Sequence, residues 1–207
     1  MAISINTKVF TRKEENLNIL THAIGLCAGV AGTVLLFLKS NDHTLLALFV
    51  YSFTLILVYL SSTLVHSAKK PSRRKLFNTL DHIAVDLLIA GTYTSLVQLK
   101  IPGKTGTAIL AGAWLLCLVS VTFKVIYKDK PQWFSEICYL FLSVLWLWAY
   151  QYLTTESIIL LITGITSYVI GLFIYKMDHI PYNHPVFHVF VLLGSTLHFL
   201  QIYYCCL

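Results

Sequence analysis

Six strongly polar side chains fall within or at the edges of apolar stretches of this chain: Glu15, His22, His66, Asp81, His184 and His188. His184 and His188 are four residues apart, so a helix carries both imidazoles on one face, about 6 Å apart along its axis. Two imidazoles so placed can share one metal ion, and His66, from a separate apolar stretch, can supply a third ligand. Three protein ligands with one open position is the arrangement of a catalytic zinc, whereas a closed structural site normally takes four. Asp81 is not a favoured fourth ligand; a carboxylate beside the open position would orient or deprotonate a water there. Ser62 stands one helical turn before His66 on the same face. It either bonds that water or a substrate carbonyl, or turns back onto the carbonyl of Val58, the commoner use of serine in a membrane helix. Glu15, Asn18 and His22 share a narrow arc of an ideal helix and form a polar stripe leading into the site. Glu15 also suits a helix start, where the dipole favours a carboxylate. Pro185 fits a first helical position, which makes His184 roughly the N-cap.

The elements that must position these groups are membrane helices. Of 207 residues, 57% are hydrophobic and only 12% charged, more apolar surface than a soluble core of this size can use. The apolar residues come in long runs rather than alternating short ones, which argues for helices over an outer-membrane barrel. Seven spans are expected, at 17–38, 44–65, 80–98, 105–127, 133–153, 156–176 and 185–206. Each is near the ~20 residues needed to cross ~30 Å of hydrocarbon. The connections are short, so the reading is an all-α bundle at 17–207 preceded by a polar segment at 1–16. Nothing resembles a cleavable signal peptide or a lipidation motif.

Charge sets the expected orientation. Lys8, Arg12, Lys13, Lys69, Lys70, Arg73, Arg74, Lys75, Lys124, Lys128, Lys130 and Lys176 all fall on one side of the seven-span topology, leaving Lys39, Lys100 and Lys104 for the other. The positive-inside bias then puts the N-terminus in the cytoplasm and the C-terminus outside. This explains the net charge of +6 without a nucleic-acid partner. The partners expected are membrane lipids, with Lys69–Lys75 near anionic headgroups. On this topology Glu15, His22, His66, Asp81, His184 and His188 all lie near the cytoplasmic face. Polar groups in that position are costly, which marks them as functional.

Other polar residues carry less. His43, His82 and His179 read as loop or interface residues. His198 lies ten residues beyond His188, about 15 Å along a helix, too deep for the same ion, and reads as a hydrogen bond within the bundle. Asp86 points away from Asp81 and belongs to a different pair or is protonated. Cys27, Cys117, Cys138, Cys205 and Cys206 contain no Cys-x-x-Cys pair and read as small hydrophobes.

The polar positions lie in stretches that resemble the hemolysin III branch of the progestin and adipoQ receptor (PAQR) family. They are Glu14-Glu15-Asn16-Leu17-Asn18-Ile19-Leu20-Thr21-His22, Ser62-x3-His66, Leu80-Asp81-His82 with Ala90-Gly91-Thr92-Tyr93-Thr94, and His184-Pro185-Val186-Phe187-His188 extended by Gly194 to His198-Phe199. The resemblance implies a seven-helix fold with a cytoplasmic-side zinc held by His66, His184 and His188, and with Asp81 and Ser62 beside its water. Relatives among the adiponectin receptors and alkaline ceramidases imply hydrolysis of a ceramide-like amide; the hemolysin III name implies a pore or cytolysin. Val65, Phe187, Ser95 and Asp86 depart from the family's usual residues, which bears on substrate shape and packing rather than on the ligands. The function expected is zinc-dependent hydrolysis of a lipid amide or ester. The alternatives are a pore-forming protein, or a receptor or regulator in which zinc only ties helices together.

Overall fold

A computed structural model describes residues 10–127, 134, 137–139, 141–142, 146 and 149–207. These residues form helices and short connections, with no strand among them. The helices are α1 (Arg12–Lys39), α2 (Leu45–Ser67), α3 (Pro71–Lys100) and α4 (Gly103–Ile126). Next comes α5, described at 134, 137–139, 141–142, 146 and 149, then a single 3-10 turn at Tyr150–Tyr152. The chain ends in α6 (Thr155–Lys176) and α7 (Asn183–Leu200), which runs on as a π-helical turn at Gln201–Cys206. Six of these segments are long and apolar enough to cross a bilayer. The fifth expected span, 133–153, falls only partly within the described residues. The protein is an all-helical, multi-pass membrane protein.

Two helices start well before their apolar runs. Thr11 caps α1 through a reciprocal capping box: its Oγ1 accepts from the Glu14 N–H, and Glu14 Oε2 accepts from the Thr11 N–H at 2.8 Å. Glu14 thus does the helix-start work that Glu15 was also suited to, and Glu15 is left for the interior. α3 begins at Pro71, not at 80. Its 30 residues span about 45 Å against ~30 Å of hydrocarbon. Asp81 is therefore in the third turn, not at the helix start.

α1 lies between α2 and α7, so the first and last helices meet. The buried face of α1 is Asn18, His22, Gly25, Gly29, Gly32 and Leu36, at helical spacing. Without lipid-phase hydrophobic drive, such close approach relies on small residues. Gly25 lies against the Tyr59 ring and Gly32 against Phe199, where a Cβ would collide. The stripe that brings α1 to its neighbours thus also carries Asn18 and His22 inward.

α7 begins after Tyr182, whose φ of 57° is left-handed. Helical geometry begins at Asn183, so His184 is already inside the helix and Pro185 is its third residue. This corrects the N-cap expectation: His184 and His188 sit in true helical register. Asn183 is buried and its Nδ2 donates to the carbonyls of Tyr175 (3.0 Å) and Met177 (3.1 Å), tying the start of α7 to the end of α6.

Asp86 finds its partner in Lys124, one of the twelve basic residues counted above on one side of the topology. Lys124 Nζ lies 2.6 Å from Asp86 Oδ2 and also donates to the His82 carbonyl (3.0 Å) and Tyr139 Oη (3.1 Å). Ser120 Oγ donates to Asp86 Oδ1 at 3.1 Å. Asp86 is 1% and Lys124 3% exposed, so this is a buried ion pair tying α3 to α4 and to Tyr139 of α5. Breaking such a pair from one side leaves an uncompensated buried charge, whereas replacing both partners by apolar groups can be neutral. Asp86→Leu or Lys124→Met alone should therefore destabilise by about 3–5 kcal/mol, and the double substitution should recover most of that loss, read as melting temperature in detergent.

Candidate metal centre

His66, from the last turn of α2, and His184 and His188, from the first two turns of α7, converge at one end of the bundle. Each offers one ring nitrogen, and these three atoms all lie within 4.8 Å of one another. His66 Nε2 and His184 Nε2 are 3.2 Å apart. Two nitrogens at ~2.0–2.1 Å from one tetrahedral ion stand about 3.3 Å apart, so this spacing is that of a ligand pair. Ring centroids are 4.3 Å apart for His184 and His188, 5.0 Å for His66 and His184, and 5.3 Å for His66 and His188. Phe10 covers the cluster, 4.7 Å from the His184 ring and 5.9 Å from His66. The donor set fits a metal ion: three imidazoles, mostly buried, with no acid competing for the centre.

The neighbours of the rings decide which nitrogens face inward. His66 Nδ1 lies 2.7 Å from Glu15 Oε2, and a carboxylate can only accept, so Nδ1 carries the proton and Nε2 presents a lone pair. For His188 the partner is Thr21 Oγ1, 3.2 Å from Nδ1. The Thr21 hydroxyl is already committed as donor to the carbonyls of Leu17 (2.9 Å) and Asn18 (3.0 Å). It must therefore accept from His188 Nδ1–H, which again leaves Nε2 as the ligand atom. These tautomers are assigned from the hydrogen-bond network. A metal-ligating histidine normally has its second nitrogen held in this way.

Glu15 is held in turn by Arg74, whose Nη2 lies 2.5 Å from Oε1. Arg74 belongs to the first turn of α3, in the basic run Lys69–Lys75. Three helices thus fix one ring: α3 through Arg74, α1 through Glu15, and α2 through His66 itself. The sequence marked Glu15 as part of a polar stripe; it gave no sign of Arg74 as its partner, because pairing across helices leaves no spacing signature.

The other candidate residues are placed as follows. Asp81 is bonded by Ser61, whose Oγ donates to Oδ1 at 3.3 Å, and Ser62 is a further hydrogen-bonding neighbour of the same carboxylate. The back-bond to the Val58 carbonyl belongs to Ser61 (3.0 Å), not to Ser62. Asn18 is fully buried, its Nδ2 3.4 Å from His66 Nδ1, a contact that is not a hydrogen bond while that nitrogen carries the proton given to Glu15. His22 packs against the cluster, its ring centroid 3.9 Å from that of His188, but stands outside the three-residue ligand set. His198 is apart from the centre, stacked 5.6 Å from Tyr168 and 3.5 Å from Gln201 Oε1. Loss of a partner that orients a ligand typically weakens metal binding by about 10–100-fold. Glu15→Leu should show that loss, and Arg74→Ala a smaller one, in zinc competition against a chelator of known affinity.

The chain was compared with known proteins. Residues 10–199 match the model of the family described as haemolysin-III related. The chain is 35% identical over 195 residues to Hemolysin-3 of Bacillus cereus, covering 90% of this chain and 89% of that protein. It is 31% identical over 206 residues to the Hemolysin-3 homolog of Bacillus subtilis (strain 168), covering 95% and 97%. It is 24% identical over 200 residues to the monocyte to macrophage differentiation factor of Homo sapiens, covering 92% and 83%. A family match across nearly the whole membrane domain, joined to relatives aligned almost end to end, leads to one conclusion: this chain belongs to the haemolysin-III-related family of membrane proteins.

Proposed function

We propose that the protein is a zinc-dependent hydrolase acting on a lipid amide or ester at the cytoplasmic face of the membrane. The observation that carries this reading is the triple-imidazole set of His66, His184 and His188, with Nε2 of His66 and His188 freed by Glu15 and Thr21. Three imidazoles suit zinc, and a fourth position open to exchange is what distinguishes a reacting zinc from a structural one. Zinc, when bound, acidifies water and polarises a carbonyl.

The chain's own residues supply the rest. Asp81 is the carboxylate available as general base, held by Ser61 and Ser62. It takes a proton from the attacking water as the water oxygen bonds to the carbonyl carbon. It returns that proton to the nitrogen or oxygen that leaves as the C–N or C–O bond breaks. The products are a carboxylic acid and an amine or alcohol. Phe10 and Tyr175 pack over His184 and keep bulk water from the ligands. The cytoplasmic assignment rests on the basic residues, twelve of fifteen of which fall on the side of the topology that carries the histidines.

A membrane-permeabilising reading is favoured by one observation, the names of the bacillary relatives. Against it, the outward-facing residues of α1, α4 and α6 are large and apolar, among them Leu38, Leu118 and Phe173, and a conducting path needs polar lining through the whole thickness. The two readings separate on purified protein in liposomes. His66→Ala, His184→Ala or His188→Ala should lose both the metal and hydrolysis of lipid amides and esters. Asp81→Asn should keep one zinc per chain while turnover falls about 10²–10⁴-fold, the usual worth of a general base. Dye release that persists in His66→Ala, with no hydrolysis by wild type, would establish the permeabilising reading instead.

A further inference from the structure

Beside the ligand set stands a histidine with nothing to bond. His22 is 4% exposed, and neither Nδ1 nor Nε2 has a hydrogen-bond partner among the described residues. Its ring lies 3.9 Å from that of His188, at 62° to it, and 6.5 Å from that of His66, nearly parallel. One helical turn earlier, fully buried Asn18 has its Oδ1 likewise without a partner. Both project from the α1 face that the glycine stripe draws into the bundle.

The polar groups around His22 are already committed. The Tyr59 ring is 5.7 Å away, but its hydroxyl bonds Ser195 Oγ. Thr21 bonds His188 and two backbone carbonyls. Glu15 bonds His66 and Arg74. A neutral imidazole always offers one donor and one acceptor, and burying both unused is costly. Native interiors tolerate such a group where a ligand uses it. His22 is not a fourth ligand, since it stands outside the group whose nitrogens can share one ion.

We propose that His22, with Asn18 Oδ1 beside it, is the hydrogen-bonding wall that receives the polar head of the lipid. The neutral imidazole N–H donates to the carbonyl oxygen of the amide or ester. Asn18 Oδ1 accepts from an N–H or O–H of the same head. The inference rests on the hydrolase reading and adds its substrate-side contact. It also gives that reading a preference: lipids carrying both an acceptor and a donor at the head are bound better than those with an acceptor alone.

The test uses full-length protein loaded with cobalt, whose visible spectrum reports its coordination, and acetohydroxamate as a small amide-like probe. The variants are His22→Phe, which keeps a ring of similar bulk, and His22→Gln, which keeps a donor and an acceptor. Both should hold one metal per chain. His22→Phe should weaken the probe at least tenfold, His22→Gln only a few-fold, and the His22→Phe protein without probe should melt no lower than wild type. Loss of metal from both variants would make His22 a ligand and overturn the inference. So would unchanged probe affinity in His22→Phe, or equal loss of fold in both variants, which would make His22 a packing residue. A metal-free wild type would remove the hydrolase reading and this inference together; a metal-loaded wild type with an indifferent His22→Phe removes only the inference.

Discussion

Hydrocarbon does not tolerate an unsatisfied polar group, and that one constraint organises this bundle. The buried ionisable residues meet it in different ways. Asp86 and Lys124 answer one another, with Ser120, Tyr139 and a backbone carbonyl completing both shells. His66 and His188 are each held at Nδ1, by Glu15 and Thr21, while His66 Nε2 lies 3.2 Å from His184 Nε2. The first arrangement is closed and has no capacity left for a ligand. The second brings one nitrogen from each of His66, His184 and His188 within 4.8 Å of the others.

Burial differs too: Asp86 and Lys124 are both buried, whereas His184 and Glu15 are only partly so. A closed network specifies how α3, α4 and α5 sit. Convergent lone pairs repel one another, so a cation held among the three rings would relieve that repulsion. Glu15 and Arg74 strengthen this asymmetry. They hold the His66 ring from outside, and Arg74 ties that hold to a basic turn at the membrane boundary.

Much of this was legible in the sequence, and the reasons differ by feature. Long apolar runs gave the spans, and direction along alternate spans gave the shared depth of His22, His66, His184 and His188. The i,i+4 pair gave a common face for two ligands. What escaped were contacts between helices. Lys124 reads as one more basic residue near a span end, and only the packing of α4 on α3 reveals that its ammonium turns inward to Asp86. The extra turns of α3 escaped because Lys and Arg are too polar to extend a hydropathy pattern, yet are good enough helix formers to extend the helix itself. The start of α7 was missed by two residues because a left-handed tyrosine is a conformation that no propensity favours.

The meeting of α1 with α7 has a consequence for biosynthesis. Thr21 and His188, which bond one another, are 167 positions apart. A ribosome delivers α1, with Glu15 and Thr21 in place, long before it delivers His184 and His188. Until the final segment threads into the bilayer and docks on the glycine face, the nascent polypeptide owns a single histidine of the trio and cannot retain a cation. The three-imidazole set is therefore assembled only once the last helix has docked, and a chain cut short before α7 lacks it.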